Sequence, residues 1–242
     1  MISIIALLVS ILLPALSKAR EAAKGVVCMS NLRGVGFAQM FYAEDQDGWS
    51  TPLMSGYTDP DNSEDLNWTG EPWSVILWKG GYSDRAYRDR ESIFNCPSLD
   101  VASRNPEGPE EEDWMYYTYG MRRNYAQTPY RILSGPVKTP ASIYTGVKFG
   151  SPATFLFIAD SIYPEYSRKY QWYYFNTHES SVFSPTVHLR HSGAGNFIFG
   201  DGHVEKLRKD DLVGNYGITN FNPAGAGGGG QFAFVEEAIV VK

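Results

Sequence analysis

The sequence has almost no cysteine: two thiols, Cys28 and Cys96, in 242 residues. Two are too few for a disulfide-dense scaffold, and without a CxxC pair there is no sequence-local metal knuckle. Two readings stay open, a pair of buried thiols or, in an exported protein, one bridge. Such a bridge closes a loop of about 70 residues and adds roughly 4 kcal/mol in the chain-entropy model. An excess of positive charge is also missing. With 21 Lys and Arg against 27 Asp and Glu, the formal net charge is −6. That argues against nucleic acid as the main partner, because phosphate binding needs a positive surface. Common enzyme motifs are lacking as well: there is no GxSxG elbow, no P-loop and no HExxH. The run from Gly225 to Gly230 matches GxGxxG by letter. The QFAFVEEAIVV that follows reads as strand, so the run is a flexible linker and not a dinucleotide site.

Charge of either sign is absent from the first sixteen residues, MISIIALLVSILLPAL. Crossing the hydrocarbon core takes ~20 apolar residues, so this run is about one turn short. No basic stretch precedes it and no small-residue cleavage site follows it, as a secretory signal would require. Lys18, Arg20 and Lys24 come directly after it, and the positive-inside rule alone then leaves the rest of the chain in the cytoplasm. Both oddities vanish if further residues precede Met1. Together with Arg33, these cations fit lipid headgroups or a neighbouring subunit.

Past Pro14, where a kink is expected, Leu16, Ala19, Ala23, Val27, Cys28, Leu32 and Val35 recur at three- and four-residue steps. This is one apolar face of a helix predicted to last to about Ala43, with bending near Gly25, Gly34 and Gly36. The division implied is a membrane or filament-core part of the helix at 1–24, and a globular domain at 25–242 that includes the helix's second half.

The 16 Tyr, 13 Phe and 6 Trp point to a β-rich core with aromatic cross-strand pairs. The stretch Glu71 to Tyr82 reads as a short helix with Pro72 near its start and Gly80-Gly81 ending it. Residues 101–113 read as an acidic surface loop. Strands are predicted at Trp114–Met121, Ala153–Ala159, Gln171–Phe175 and Ser181–Leu189. A two-residue hairpin turn is predicted at Asp201-Gly202, between Asn196–Gly200 and His203–Leu207. The order, helix first and strands later, gives an α+β fold: a long N-terminal helix packed on a mainly antiparallel β-sheet with large loop insertions.

The N-terminal stretch from Ile2 to Gly48 resembles the helix of bacterial prepilin-like proteins of the type II secretion and type IV pilus class. His191, nine residues, then Asp201-Gly202, flanked by Arg190 and His203, resembles the H-x9-DG signature of the large-domain pseudopilin-like proteins of planctomycete and verrucomicrobial type. Phe94-Asn95-Cys96-Pro97 and Ala159-Asp160 fit the same family. Its basic leader, cleavage glycine and Phe-Thr-Leu-Ile-Glu stretch are not in this sequence. The resemblance implies a non-enzymatic structural subunit of a pilus-like or pseudopilus assembly, with other pilin or pseudopilin subunits and the inner membrane as partners. It also implies a single-pass protein whose globular domain faces the periplasm or exterior, and it favours pairing of Cys28 with Cys96. The alternatives are a membrane-tethered module for polysaccharide or a secreted substrate, and a metal-dependent hydrolase.

Two residue sets have ligand chemistry. Asp45 and Asp47, before Gly48, match part of a Ca²⁺ loop, but Ala43 and Met54 stand at its opening and closing positions. Without calcium they simply end the helix and turn the chain. His191, Asp160 and His203 form a candidate metal set. The structural reading is that Asp201 bonds local backbone N–H groups, and that His191 orients the turn or pairs with an acidic side chain. No cofactor and no catalytic residue are expected.

Overall fold

The computed structural model describes residues 2–55, 70–84, 92–99, 118–123, 129–133, 135–139, 150–162, 171–177, 185–216 and 221–223. The acidic loop, the first half of Trp114–Met121, residues 181–184 of the strand expected at Ser181–Leu189, the glycine run and the strand expected after it lie outside the described residues.

Helix α1 (Ile2–Asp45) is continuous through Pro14. From Ile5 to Ala23 its side chains are exposed, and burial begins at Lys24 and Gly25. From Cys28 onward one face is covered, carrying Cys28, Leu32, Val35, Ala38, Gln39 and Ala43. The apolar face expected from Leu16 therefore starts later. Leu16 and Val27 are exposed, because the β-sheet that covers the helix reaches only its second half. The helix ends where the Gly48 N–H bonds back to the Ala43 carbonyl at 2.7 Å, with Asp47 and Gly48 both at positive φ, a turn that satisfies carbonyls left over at the helix end. Helix α2 (Trp73–Lys79) begins after Pro72 and stops at Gly80. Gly81 then turns the chain at φ +81°.

Among the described residues eight strands follow: β1 (Gly120–Arg122), β2 (Leu156–Ala159), β3 (Ser161–Ile162), β4 (Tyr174–Phe175), β5 (Thr186–Leu189), β6 (Ala194–Phe199), β7 (Val204–Arg208) and β8 (Phe221–Pro223), with helix α3 (Lys209–Tyr216) after β7. They form a five-stranded sheet, β4-β1-β2-β6-β7, and a three-stranded one, β3-β5-β8. Pairing is antiparallel except for β1 with β4 and β5 with β8. The fold is α+β, as the sequence predicts.

Several strands are shorter than expected, for local reasons. Pro152 opens a 3-10 turn over Pro152–Thr154, so the strand starts only at Leu156. β6 is buried on both faces. By the two-residue period of a strand, Asn196 and Ile198 share one side and Phe197 and Phe199 the other. Ile198 belongs to the core beneath α1 with Leu32, Val35 and Trp73. Phe197 and Phe199 belong to a second core with Val187, Leu189, Leu207 and Leu212. The described aromatics mostly fill these cores, as in Tyr130 against Phe155 and Trp73 against Phe94.

The Asp201-Gly202 hairpin is wider than expected. Phe199 and His203 close it, and the Gly202 N–H reaches the Phe199 carbonyl at 2.9 Å. With Gly202 at φ +86°, this is a three-residue loop whose last residue is left-handed. A two-residue turn occurs one hairpin earlier. His191 and Ala194 exchange backbone bonds of 2.9 and 3.3 Å around Ser192 and Gly193, both at positive φ.

Candidate functional site

Asp160 is the single residue between β2 and β3, where the chain leaves one sheet for the other. Its N–H bonds the Asn196 carbonyl of β6 at 3.1 Å, and its carbonyl accepts from His188 N of β5 at 2.8 Å. The backbone is thus fixed by both sheets while the side chain, fully buried, points toward α1. One carboxylate oxygen, Oδ2, accepts from Asn196 N at 2.9 Å and lies 3.2 Å from His191 Nε2. The other, Oδ1, accepts from Cys28 Sγ at 3.3 Å, with Arg190 Nε 3.8 Å away. Arg190 also donates through Nη2 to the Ser161 carbonyl.

Three other elements close the cluster. The Ser192-Gly193 turn carries His191, whose Nε2 is 3.6 Å from Cys96 Sγ. Cys96 sits in the segment 92–99, which is tied down by Asn31 Nδ2 on the Asn95 carbonyl at 2.9 Å and by Gln171. Cys28 comes from the first buried turn of α1. Beside it Tyr119 Oη stands 3.2 Å from Cys28 Sγ and 3.2 Å from the Asn95 carbonyl. One ligand atom from each of Cys28, Cys96, Asp160 and His191 lies within 4.8 Å of all the others.

The charges in this cluster set one another. Burial alone raises a carboxyl, but Arg190, His191 and the Asn196 N–H outweigh it and hold Asp160 down at about 2. Burial disfavours an imidazolium, yet the contacts with Asp160 and Cys96 raise His191 to about 9. Burial pushes the Cys28 thiol up. At Cys96 the same burial is overcome by the Cys28 hydrogen bond, Arg190 and His191, and its thiol is held below the ordinary value. The Asp160 carboxylate thus faces the Arg190 guanidinium and the His191 imidazole, and each contact favours the charged form of its partner. An isolated charge this deep would be prohibitive, and the balance is what lets the group stay buried.

The structure brings together Asp160 and His191 from the metal set predicted by sequence, but not His203. That residue lies at the opposite end of β6, half-exposed, with Nδ1 2.5 Å from Asp201 Oδ1. Six strand residues separate the two ends, on the order of 20 Å, so one ion cannot touch both histidines. Asp201 accepts from the His203 N–H at 3.2 Å, the local backbone role expected of it. His191 pairs with an acidic side chain, Asp160, and does not orient the Asp201-Gly202 turn. Asp45 Oδ2 accepts from Tyr82 Oη at 2.8 Å, and Asp47 stands in the turn that ends α1. Among the described residues neither belongs to a converging set of three donors.

Cys28 and Cys96 are neighbours in space, both buried and both free thiols. Reading the sequence alone misses Arg190 and Tyr119 as members of the site. Arg190 carries a weak signal, its position beside His191, whereas Tyr119 carries none among so many tyrosines. No donor atom of the cluster belongs to an exposed residue, so the arrangement is closed. It ties four separate elements of the fold to one another. Comparison with protein-family models, with curated proteins and with solved structures gives no match.

Proposed function

We propose that this protein is a non-enzymatic assembly subunit of a pilus-like or pseudopilus kind, joined to its neighbours through α1. The observation that carries the reading is the first half of that helix. Ile5, Leu7, Leu8, Ile11, Leu12, Leu13 and Leu16 are each more than half exposed, and they surround the helix on all sides. An all-round apolar helix needs lipid or other helices around it.

Among the described residues no helix is long and apolar enough to cross a membrane. The apolar surface that these residues expose supports packing among like helices, which trade lipid contacts for one another at little cost. The described aromatics lie mainly in the core, which weighs against the alternative of a tethered module presenting an aromatic binding face.

The test compares the full chain with its Leu8→Glu, Leu12→Glu variant. Leu12→Cys is also placed in the otherwise unchanged chain for cross-linking between copies. The unaltered helix is expected to fractionate with membranes or self-associate without detergent, and Leu12→Cys to give cross-linked ladders. The glutamate variant is expected to be monomeric with an unchanged melting curve. An unaltered chain that stays monomeric in detergent-free buffer and avoids membranes overturns the reading.

A further inference from the structure

We propose that Cys28, Cys96, Asp160 and His191 form a closed, structural binding site for one zinc ion. The site stands independently of what covers the first half of α1. The four donors are two sulfurs, one imidazole nitrogen and one carboxylate oxygen, the mixed set that borderline divalent ions prefer and that zinc takes in four-coordinate form. Around tetrahedral zinc, bond lengths of about 2.0–2.3 Å place neighbouring donors roughly 3.3–3.8 Å apart. The observed donors all lie within 4.8 Å of one another, so the widest pair needs to draw in by about 1–1.5 Å at most.

The donor set is supported from outside as metal ligands usually are. Asn196 N–H holds Asp160 Oδ2 at 2.9 Å, Tyr119 Oη braces Cys28, and Gln171 braces the Cys96 backbone. Charge also closes. Two thiolates and one carboxylate against Zn²⁺ leave one negative charge, and the buried Arg190 guanidinium beside Asp160 offsets it. Binding is a ligand exchange without redox change: each sulfur, the carboxylate oxygen and His191 Nε2 donates an electron pair to the ion. Any protons on the two thiols and on Nε2 pass to water.

All four residues are at most 5 % exposed, so no coordination position opens to solvent. This is the closed arrangement of structural zinc. The ion would pin α1, the 92–99 segment, the crossing point between the sheets and the Ser192-Gly193 turn to one another. A disulfide between Cys28 and Cys96 joins only two of these and gives the converging carboxylate and imidazole no shared partner.

The full chain is isolated without reductant or chelator and its intact mass is measured under metal-retaining, non-denaturing conditions. ~1 zinc per chain is expected, bound at isolation or on addition of the stoichiometric ion. Cobalt in its place is expected to give a thiolate-to-metal charge-transfer band with tetrahedral ligand-field absorption. Cys28→Ser should weaken zinc retention by more than the roughly 10–100-fold that an outer-shell change costs. Asp160→Asn should keep the sulfur band but alter the ligand-field one. A mass lacking both thiol hydrogens, which marks a Cys28–Cys96 bridge, overturns the proposal. So do free thiols that take up neither zinc nor cobalt. Both readings come from the unaltered protein, so a variant that fails to fold leaves the test intact.

Discussion

A Cβ on Gly36 would stand 2.9 Å from the carbonyl oxygen of Gly202. Eleven residues earlier on the same helix, a Cβ on Gly25 would meet His191 Nδ1 at 3.3 Å. Eleven helical residues rise about 16 Å and six strand residues about 20 Å. β6 therefore lies along α1 with each end seated on a glycine. The nine residues between His191 and Asp201 are the Ser192-Gly193 turn, the six residues of β6 and Gly200, the first residue of the second turn.

Gly36→Ala is expected to destabilise the full chain. In a free helix the change gains about 1 kcal/mol, but the contact here is with backbone, and overpacking costs typically about 1–3 kcal/mol. Gly214→Ala in α3 is the control, since nothing lies within 4 Å of its added Cβ. There the gain should appear undiminished. Urea unfolding of the two variants should show opposite signs, and stabilisation by Gly36→Ala would mean that the turn is free to withdraw from the helix.

Gly202→Ala acts through a different cause. Its φ of +86° lies in the left-handed region, and its Cβ would be 3.2 Å from Met40 Cγ. Roughly 1–2 kcal/mol of backbone strain is expected, with little change at Asp160, which sits beside the middle of β6. If Gly202→Ala proves neutral in urea melts, the three-residue loop assigned to this hairpin is wrong.

The sequence makes α1, α2 and β6–β7 legible because periodicity, Pro72, Gly80 and Asp201-Gly202 are local signals. The turn at Ser192-Gly193 carries an equally local signal, yet Asp201-Gly202 draws attention to the other end of the strand. What local pattern cannot give is the partner of each side chain. His191 and His203 look equivalent, flanking one strand, until the strand's length separates them. Cys28, Cys96 and Asp160 are 132 residues apart at the extremes, and their meeting depends on the switch between sheets at Asp160. The exposure of Leu16 is hidden for the same reason, because periodicity shows an apolar face without showing how far the sheet extends beneath it.

Asp160→Ala should be among the most costly single changes in the domain. It removes the acceptor of Cys28, His191 and the Asn196 N–H, and leaves Arg190 buried beside a cavity. Breaking a buried pair from one side costs about 3–5 kcal/mol. Arg190→Met alone should cost less than Asp160→Ala, because Asp160 keeps its Asn196 and His191 partners. In the double variant the losses should fall short of their sum by about 0.5–3 kcal/mol. Denaturation of metal-free, reduced protein measures this cycle, and strict additivity would show that the 3.8 Å Arg190–Asp160 approach carries no coupling.

The second half of α1 presents two apolar faces, and among the described residues only one belongs to the core. Leu32 is fully buried, while Phe37 and Phe41 are exposed by 65 % and 63 %. With Val26, these phenylalanines continue along the outer side of the helix. Leu32→Ala removes buried methyls and leaves a cavity beneath the sheet, at a cost of about 2–5 kcal/mol. Phe37→Ser and Phe41→Ser remove surface the fold does not cover, so stability should stay within about 0.5 kcal/mol. Their effect should appear in association: sedimentation of the full chain should shift toward smaller species when both are changed. A melting temperature that falls as far for Phe37→Ser as for Leu32→Ala would place Phe37 in the folded core. An unchanged sedimentation profile would confine association to the first half of α1, where Ile5 to Leu16 already offer an unpartnered surface.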